Sequence, residues 1–92
     1  MIIRISAEGQ YRLPSSYLDQ INAIDSQIVE ALANGDRDGF ATLFGSLLDL
    51  VRQHGEPVAH DELVESQVVL PPADTTFDEA TDLFVAEGLV PD

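Results

Sequence analysis

The chain has 92 residues, of which 45 % are hydrophobic, and this length and composition predict one globular domain spanning residues 1–92. Seventeen acidic residues stand against four arginines and no lysine, which gives a formal net charge of −13. Such a surface repels phosphate backbones and anionic lipid headgroups, so we expect neither nucleic-acid binding nor electrostatic docking on a membrane. No apolar run approaches the roughly 20 residues of a membrane span, so we expect no direct membrane insertion. The sequence contains no cysteine, which excludes disulfides and thiolate chemistry and favours a cytoplasmic location.

The acidity has two explanations that the composition leaves open. Repulsion between negatively charged surfaces keeps a small protein in solution. Ten aspartates, seven glutamates and the avoidance of lysine are also typical of halophilic proteins, although some high-GC bacteria avoid lysine too. Halophily is therefore one of two hypotheses for the charge.

Residues 2–13 alternate between apolar and polar side chains, which predicts a β-hairpin. We expect a three-residue loop at positions 7–9, because it pairs Ile5 with Tyr11 and puts Gly9 at the left-handed position of the loop. A two-residue loop would mix the faces. With the three-residue loop, four apolar side chains share one face: Ile3, Ile5, Tyr11 and Leu13.

The middle of the chain predicts two amphipathic helices of about 18 residues each. The first follows Ser15 or Ser16, either of which can cap it, and ends near residue 33 before an Asn-Gly pair. Asp36 then caps the second, at about residues 37–54. Because the helices are equally long and the link is very short, we expect an antiparallel helical hairpin.

The last third predicts two further short elements. Residues 68–70 form a strand candidate that can add to the N-terminal hairpin. Residues 76–79, TFDE, are a capping box that opens a helix through about Glu87. The predicted fold class is therefore α+β: an N-terminal β-hairpin with a candidate third strand, a central antiparallel helical hairpin and a short C-terminal helix.

The titratable residues do not form a recognisable catalytic or metal-binding motif. His54 and His60 lie near Asp61 and Glu62, so a cation site is conceivable there, but the spacing matches no familiar ligand pattern. Adjacent carboxylates such as Asp78 and its neighbour in the capping box arise readily in so acidic a chain. We therefore predict no catalytic residue, no metal and no cofactor, with a small cation- or ligand-binding domain as the alternative.

The sequence instead suggests a surface for another protein, formed by the outer hairpin face and the second helix. In the expected register Arg4 lies opposite Arg12. Because like charges on paired strands repel, we expect either carboxylates of this chain or an acidic partner to neutralise them. The apolar arc of residues 37–54 is wide, and either the C-terminal helix (Phe77, Leu83, Phe84), a partner or a second copy of the chain can cover it. The candidate partner surface comprises Arg4, Arg12, Phe40, Leu43, Leu47 and Leu50.

Several segments, in their order and spacing, resemble the PspA-associated protein family. The N-terminal segments are residues 1–5, MIIRI, and residues 9–14, GQYRLP. The C-terminal segments are residues 61–64, DELV, residues 70–74, LPPAD, and residues 88–91, GLVP. Because they bracket a helical hairpin of the length expected for the family, the resemblance covers the whole chain.

The resemblance implies a small cytoplasmic protein that associates with PspA, the coiled-coil phage-shock protein that coats and repairs stressed membranes. It brings no enzymatic activity and no catalytic residue. The function it implies is that of an adaptor or regulator that acts by protein–protein interaction and reaches the membrane periphery through PspA.

Overall fold

The computed structural model of the chain describes residues 1–59, 61–62 and 64–83. It confirms the α+β class. The elements in chain order are β1 (Ile2–Ile5), β2 (Gly9–Arg12), a 3₁₀ turn (Ser15–Tyr17), α1 (Leu18–Ala33), α2 (Arg37–His54), β3 (Glu56–Pro57), β4 (Val68–Leu70) and α3 (Phe77–Leu83).

The strands form one mixed sheet in the order β3-β2-β1-β4. β2 is antiparallel to β1, whereas β4 is parallel to it and is the predicted third strand. β3 adds an unpredicted edge strand beside β2. The inner face of the sheet packs on the helical layer and buries side chains from both, among them Ile3, Ile5, Ile21, Ile28, Leu47 and Leu70.

The hairpin has the predicted faces but a different register. Ile3 pairs with Tyr11 and Ile5 pairs with Gly9, so the loop consists of residues 6–8 rather than residues 7–9. The Glu8 amide donates to the Ile5 carbonyl at 3.0 Å, and Ala7 adopts a φ of +67°. Because the shift is two residues, the apolar side chains keep a common face. The expected Arg4–Arg12 pairing is wrong: each arginine has a different cross-strand neighbour.

The helical hairpin is confirmed, and the bounds of α2 agree with the prediction. The Gly39 amide donates to the Asp36 carboxylate at 2.9 Å, which is the expected N-cap. Gly35 has a φ of +70°, and the Asp36 amide bonds back to the Ala31 carbonyl at 2.9 Å, which closes α1 in a Schellman arrangement. The predicted serine cap of α1 is wrong, because the 3₁₀ turn precedes that helix and makes no side-chain cap hydrogen bond.

The predicted capping box at the start of α3 is also confirmed. The Thr76 amide donates to the Glu79 carboxylate at 2.9 Å, and the Glu79 amide donates to the Thr76 hydroxyl at 3.2 Å. Phe77 then meets Phe40 edge to face, with the ring centroids 6.0 Å apart. The predicted continuation to Glu87 lies outside the described residues.

Candidate interaction surfaces

The outer face of the sheet carries the polar half of the strand alternation and is partly covered by the link between β3 and β4. The Gln10 side chain donates to the Val64 carbonyl at 3.0 Å and to the Ser66 hydroxyl at 2.8 Å. Arg12 forms an ion pair with Glu62 at 2.5 Å, and both side chains are about half exposed. One of the two candidate arginines is therefore neutralised within the chain.

Arg4 differs from the other arginines. Arg37 pairs with Asp78 at 3.0 Å, Arg52 pairs with Glu8, and Arg12 pairs as described above. Among the described residues, no carboxylate oxygen lies within 4 Å of the exposed Arg4 guanidinium. Arg4 is thus the positive charge that this part of the chain presents to solvent on the sheet.

A small apolar groove lies along the outer edge of β4. Val69 and Leu83 are 50 % and 47 % exposed and are the exposed large hydrophobic side chains in the described part of the chain. Both line this edge groove of about 190 Å³, together with Ser6, Pro71 and Pro72. Leu83 is the last described residue, and nothing in the structure shows what covers the groove.

The structure separates the candidate residues on α2 into two groups. Phe40 is 3 % exposed and Leu47 is fully buried, so both side chains belong to the core and are not available to a partner. Leu43 and Leu50 are half-buried and pack against the core from one flank of the helix. The predicted surface on this helix therefore contracts to the edges of Leu43 and Leu50, and a role for them in binding stays a prediction.

The opposite flank of α2 borders a second groove, which the sequence analysis did not single out. From α2 the groove is lined by Ala41, Gly45 and the buried Leu48, and from the other side by Phe77 and neighbouring residues of the preceding segment: Ala73, Thr75 and Thr76. Its volume is about 280 Å³, and we call it the α2 groove. The sequence signal for this groove is Ala41, a small apolar residue that helical periodicity places beside the apolar arc of α2 and that is exposed in the structure.

Arg37 fixes the position of α3 against α2 at one end of this groove. Its guanidinium carbon lies 4.6 Å from the centre of the Phe77 ring, and its Nη2 donates to Asp78 at 3.0 Å. A cation over an aromatic face and an ion pair act together here. The groove wall is thus attached to α2 by contacts at the start of α3.

A second charged cluster joins the hairpin loop to the last turn of α2. Arg52 donates to both carboxylate oxygens of Glu8, at 2.5 and 2.9 Å, and the Tyr11 hydroxyl donates to the same group at 2.6 Å. The Arg52 and Tyr11 hydrogen bonds lower the pKa of Glu8 from 4.5 to about 2. The Glu8 contact in turn raises the pKa of Tyr11. The cluster therefore links the hairpin to the end of α2.

The conceivable cation site receives no support from the geometry. His54 stacks on Tyr17 with ring centroids 4.8 Å apart, and the Tyr17 hydroxyl lies 3.1 Å from His54 Nδ1. Glu62 is engaged by Arg12, while His60 lies outside the described residues. Within the described ranges, no three His, Asp or Glu side chains converge as metal ligands would.

Two of the carboxylates that lie close to another acid in the sequence have local structural roles. Asp36 caps α2, and Glu79 closes the capping box of α3. The hydrogen bond from the Thr76 backbone amide lowers the pKa of the Glu79 carboxyl most, and the hydrogen bond from the Thr76 hydroxyl lowers it further. These groups are therefore engaged in helix starts, which favour negative charge.

Asp25 is a buried carboxylate that the apolar pattern of the sequence did not predict. It is 2 % exposed, on the face of α1 that also buries Ile21 and Ile28. The signal was present, because positions 21, 25 and 28 follow the i, i+4, i+7 spacing of a helix face. A search for apolar residues at helical spacing does not find a polar residue on the same face.

A four-stranded mixed sheet covered by a helical hairpin defines a small two-layer α+β domain. The family model described as PspA-Associated protein, PspAA, matches residues 1–92. The chain therefore belongs to the PspA-associated protein family, as its resemblance indicated. No curated protein and no solved structure matches the chain significantly. Within the described residues, no helix is both long enough and apolar enough to cross a bilayer.

Proposed function

We propose that this chain is a non-enzymatic accessory protein of the membrane-stress system that acts by binding PspA. The observation that carries the proposal is the match of the whole chain to a family described by its association with PspA. In this role the chain supplies a rigid binding surface, and PspA makes the contact with the membrane.

The geometry of α2 supports a protein as the ligand. The helix is anchored to the sheet by a continuous row of buried side chains, so its outer flanks are held in fixed positions. One flank borders the open α2 groove, whose lining is mostly apolar and includes three aromatic rings, those of Phe40, Phe44 and Phe77. Apolar grooves with fixed walls are typical of sites that accept a helix from another protein.

The charge of the chain supports an indirect route to the membrane. A formal charge of −13 opposes contact with an anionic bilayer, because the surface potential of such lipids repels it. The proposed accessory protein therefore reaches the membrane only when PspA is already bound there. This places PspA between the acidic chain and the lipid.

Vesicle flotation tests this proposal with purified components. The chain alone should stay in the dense fraction with vesicles of phosphatidylglycerol and phosphatidylethanolamine, and should float when PspA from the same genome is added. An unrelated coiled-coil protein that binds the same vesicles serves as the control. Flotation of the chain without PspA, or its failure to float with membrane-bound PspA, would contradict the proposed function.

A further inference from the structure

The α2 groove contains a glycine that the packing of the described residues does not require. Gly45 lies in the middle of α2, where glycine destabilises a helix relative to alanine. A Cβ atom built at this position meets no heavy atom of the described residues within 4 Å. Gly39 is different, because the Asp36 carboxylate occupies the space beside it. Packing within the described part of the chain thus gives a reason for glycine at position 39 and none at position 45.

Glycine on an exposed helix flank permits the close approach of another backbone. Ala41 is exposed and lies one helical turn before Gly45, so the two residues form a shallow depression along α2. The Phe77 ring borders the depression on the α3 side. A second helix crossing here can bring its own ridge of side chains into the depression between these walls.

The charges around the α2 groove define the chemistry of its occupant. Asp38 and Asp49 are exposed, and helical spacing puts them on the same side of α2 as Gly45, while the exposed Asp74 lies between Ala73 and Thr75 of the opposite wall. The nearby arginines are already engaged, Arg37 by Asp78 and Arg52 by Glu8, with a longer contact of 3.8 Å from Arg52 to Asp49, so within the described residues Asp38 and Asp74 carry the negative charge that no arginine pairs with. The rim is therefore negative, and it favours an occupant with positive charge beside its apolar stripe.

We propose that the α2 groove binds one helix of PspA, at a place where a small-residue or apolar stripe of that helix is flanked by lysine or arginine. This inference rests on the proposed function, because it takes PspA as the partner. It assigns the contact to Ala41, Gly45 and Phe77, with Asp38 and Asp49 at the rim. The edge groove at Val69 is then outside the contact.

The decisive variants change the volume at position 45. Gly45→Ala should raise the melting temperature by about 4 °C or more, because alanine favours the helix, and should weaken PspA binding at least threefold. Gly45→Leu fills the groove and should weaken binding at least tenfold. Ser46→Leu is the matched control, since it adds the same side chain at the next exposed position of α2 and should bind within twofold of the wild type.

A second pair of variants tests the charge of the rim. Asp49→Asn should lower the association rate and reduce the salt dependence of that rate, since a rim carboxylate steers a basic partner. Glu30→Gln removes an equal charge from the exposed face of α1 and should leave both quantities unchanged. Equal effects of the two substitutions would contradict a basic helix in the α2 groove.

The outcomes separate the groove from the function. If the wild type binds PspA and both Gly45 variants bind equally well, the groove assignment is wrong and the proposed function stands. Loss of binding in Val69→Asp alone would place the contact at the edge groove. If the wild type does not bind PspA, both proposals fail. Should Gly45→Leu fail to fold, Gly45→Ala decides the matter, because it is expected to be more stable than the wild type.

Discussion

The Asp36 carboxylate occupies the position that a side chain on Gly39 would need. The Gly39 amide donates to this carboxylate at 2.9 Å, and a Cβ atom at position 39 would overlap its oxygen. The N-cap of α2 and the absence of a side chain three residues later are therefore one feature. Gly45, in the same helix, has no such neighbour among the described residues.

The same substitution at the two glycines should have different effects on stability. Gly45→Ala should raise the free energy of unfolding by about 1 kcal/mol, the difference in helix propensity. Gly39→Ala should not raise the free energy of unfolding. Displacement of the Asp36 cap costs about 1 kcal/mol, which offsets the higher helix propensity of alanine. Urea denaturation of the three proteins measures this difference. Equal stabilisation by both substitutions would show that the cap tolerates a side chain at position 39.

The hairpin loop should be more stable with glycine at position 7. Ala7 has a φ of +67°, a conformation that costs an L-residue roughly 1–2 kcal/mol. Glycine would avoid this cost, but its greater freedom in the unfolded chain would offset part of the gain in stability. Ala7→Gly should raise the free energy of unfolding by about 0.5–1 kcal/mol. Ala23→Gly, in the exposed part of α1, should lower it by about 1 kcal/mol and is the matched control. A loss of stability in Ala7→Gly would contradict the turn geometry.

The Glu8–Arg52 contact should make stability depend on pH in a definite direction. The pKa of Glu8 is about 2 in the folded chain against an ordinary value of 4.5, so the contact stabilises the fold above pH 4.5 and its contribution disappears as the pH falls towards 2. Glu8→Gln should cost about 0.5 kcal/mol at pH 7, since the pair is partly exposed. The difference between the two proteins should vanish near pH 2.

Thermal unfolding of wild type and Glu8→Gln from pH 2 to pH 7 measures that difference. Glu30→Gln controls for the loss of one negative charge, because no arginine lies within 4 Å of Glu30 in the described part of the chain. A constant gap between wild type and Glu8→Gln across the range would show that the contact with Arg52 is not formed in solution.

Zinc should have no specific effect on the fold. His54 is stacked on Tyr17, and Glu62 is paired with Arg12, so the groups that a site would need are engaged elsewhere. We expect the melting temperature to change equally in Zn²⁺ and in Mg²⁺ at the same concentration. A shift seen only with Zn²⁺ and lost in His60→Ala would support the alternative of a small cation-binding domain.

The parts of the fold that depend on local sequence were predictable. The helix α2 begins at a capping aspartate and ends before Gly55, and both signals lie within a few residues of the helix. The hairpin faces follow from alternation, but alternation is unchanged by a shift of two residues, so it could not distinguish a loop at 7–9 from a loop at 6–8. An alanine at positive φ is also contrary to the preference for glycine on which the predicted loop rested.

The parts that depend on tertiary contacts were not predictable from local patterns. β3 is two residues long and includes Pro57; the adjoining Val58 amide donates to the Gln10 carbonyl at 2.9 Å, a partner distant in sequence. Two residues of the candidate surface on α2, Phe40 and Leu47, are core residues that the sequence pattern could not recognise as such, for a related reason. Phe40 and Leu47 repeat at the spacing of a core stripe, and the same stripe describes a helix that faces a partner. Only the packed sheet identifies them as core residues.

The most direct test of the account is a calorimetric titration of the purified chain with PspA from the same genome, carried out at 0.1 M KCl and at 2 M KCl. We expect saturable binding with a defined stoichiometry at the lower salt concentration. Affinity should fall at the higher concentration, because part of the attraction comes from exposed charges that salt screens. The absence of heat and of complex formation at both concentrations would contradict a direct role of this chain as a partner of PspA.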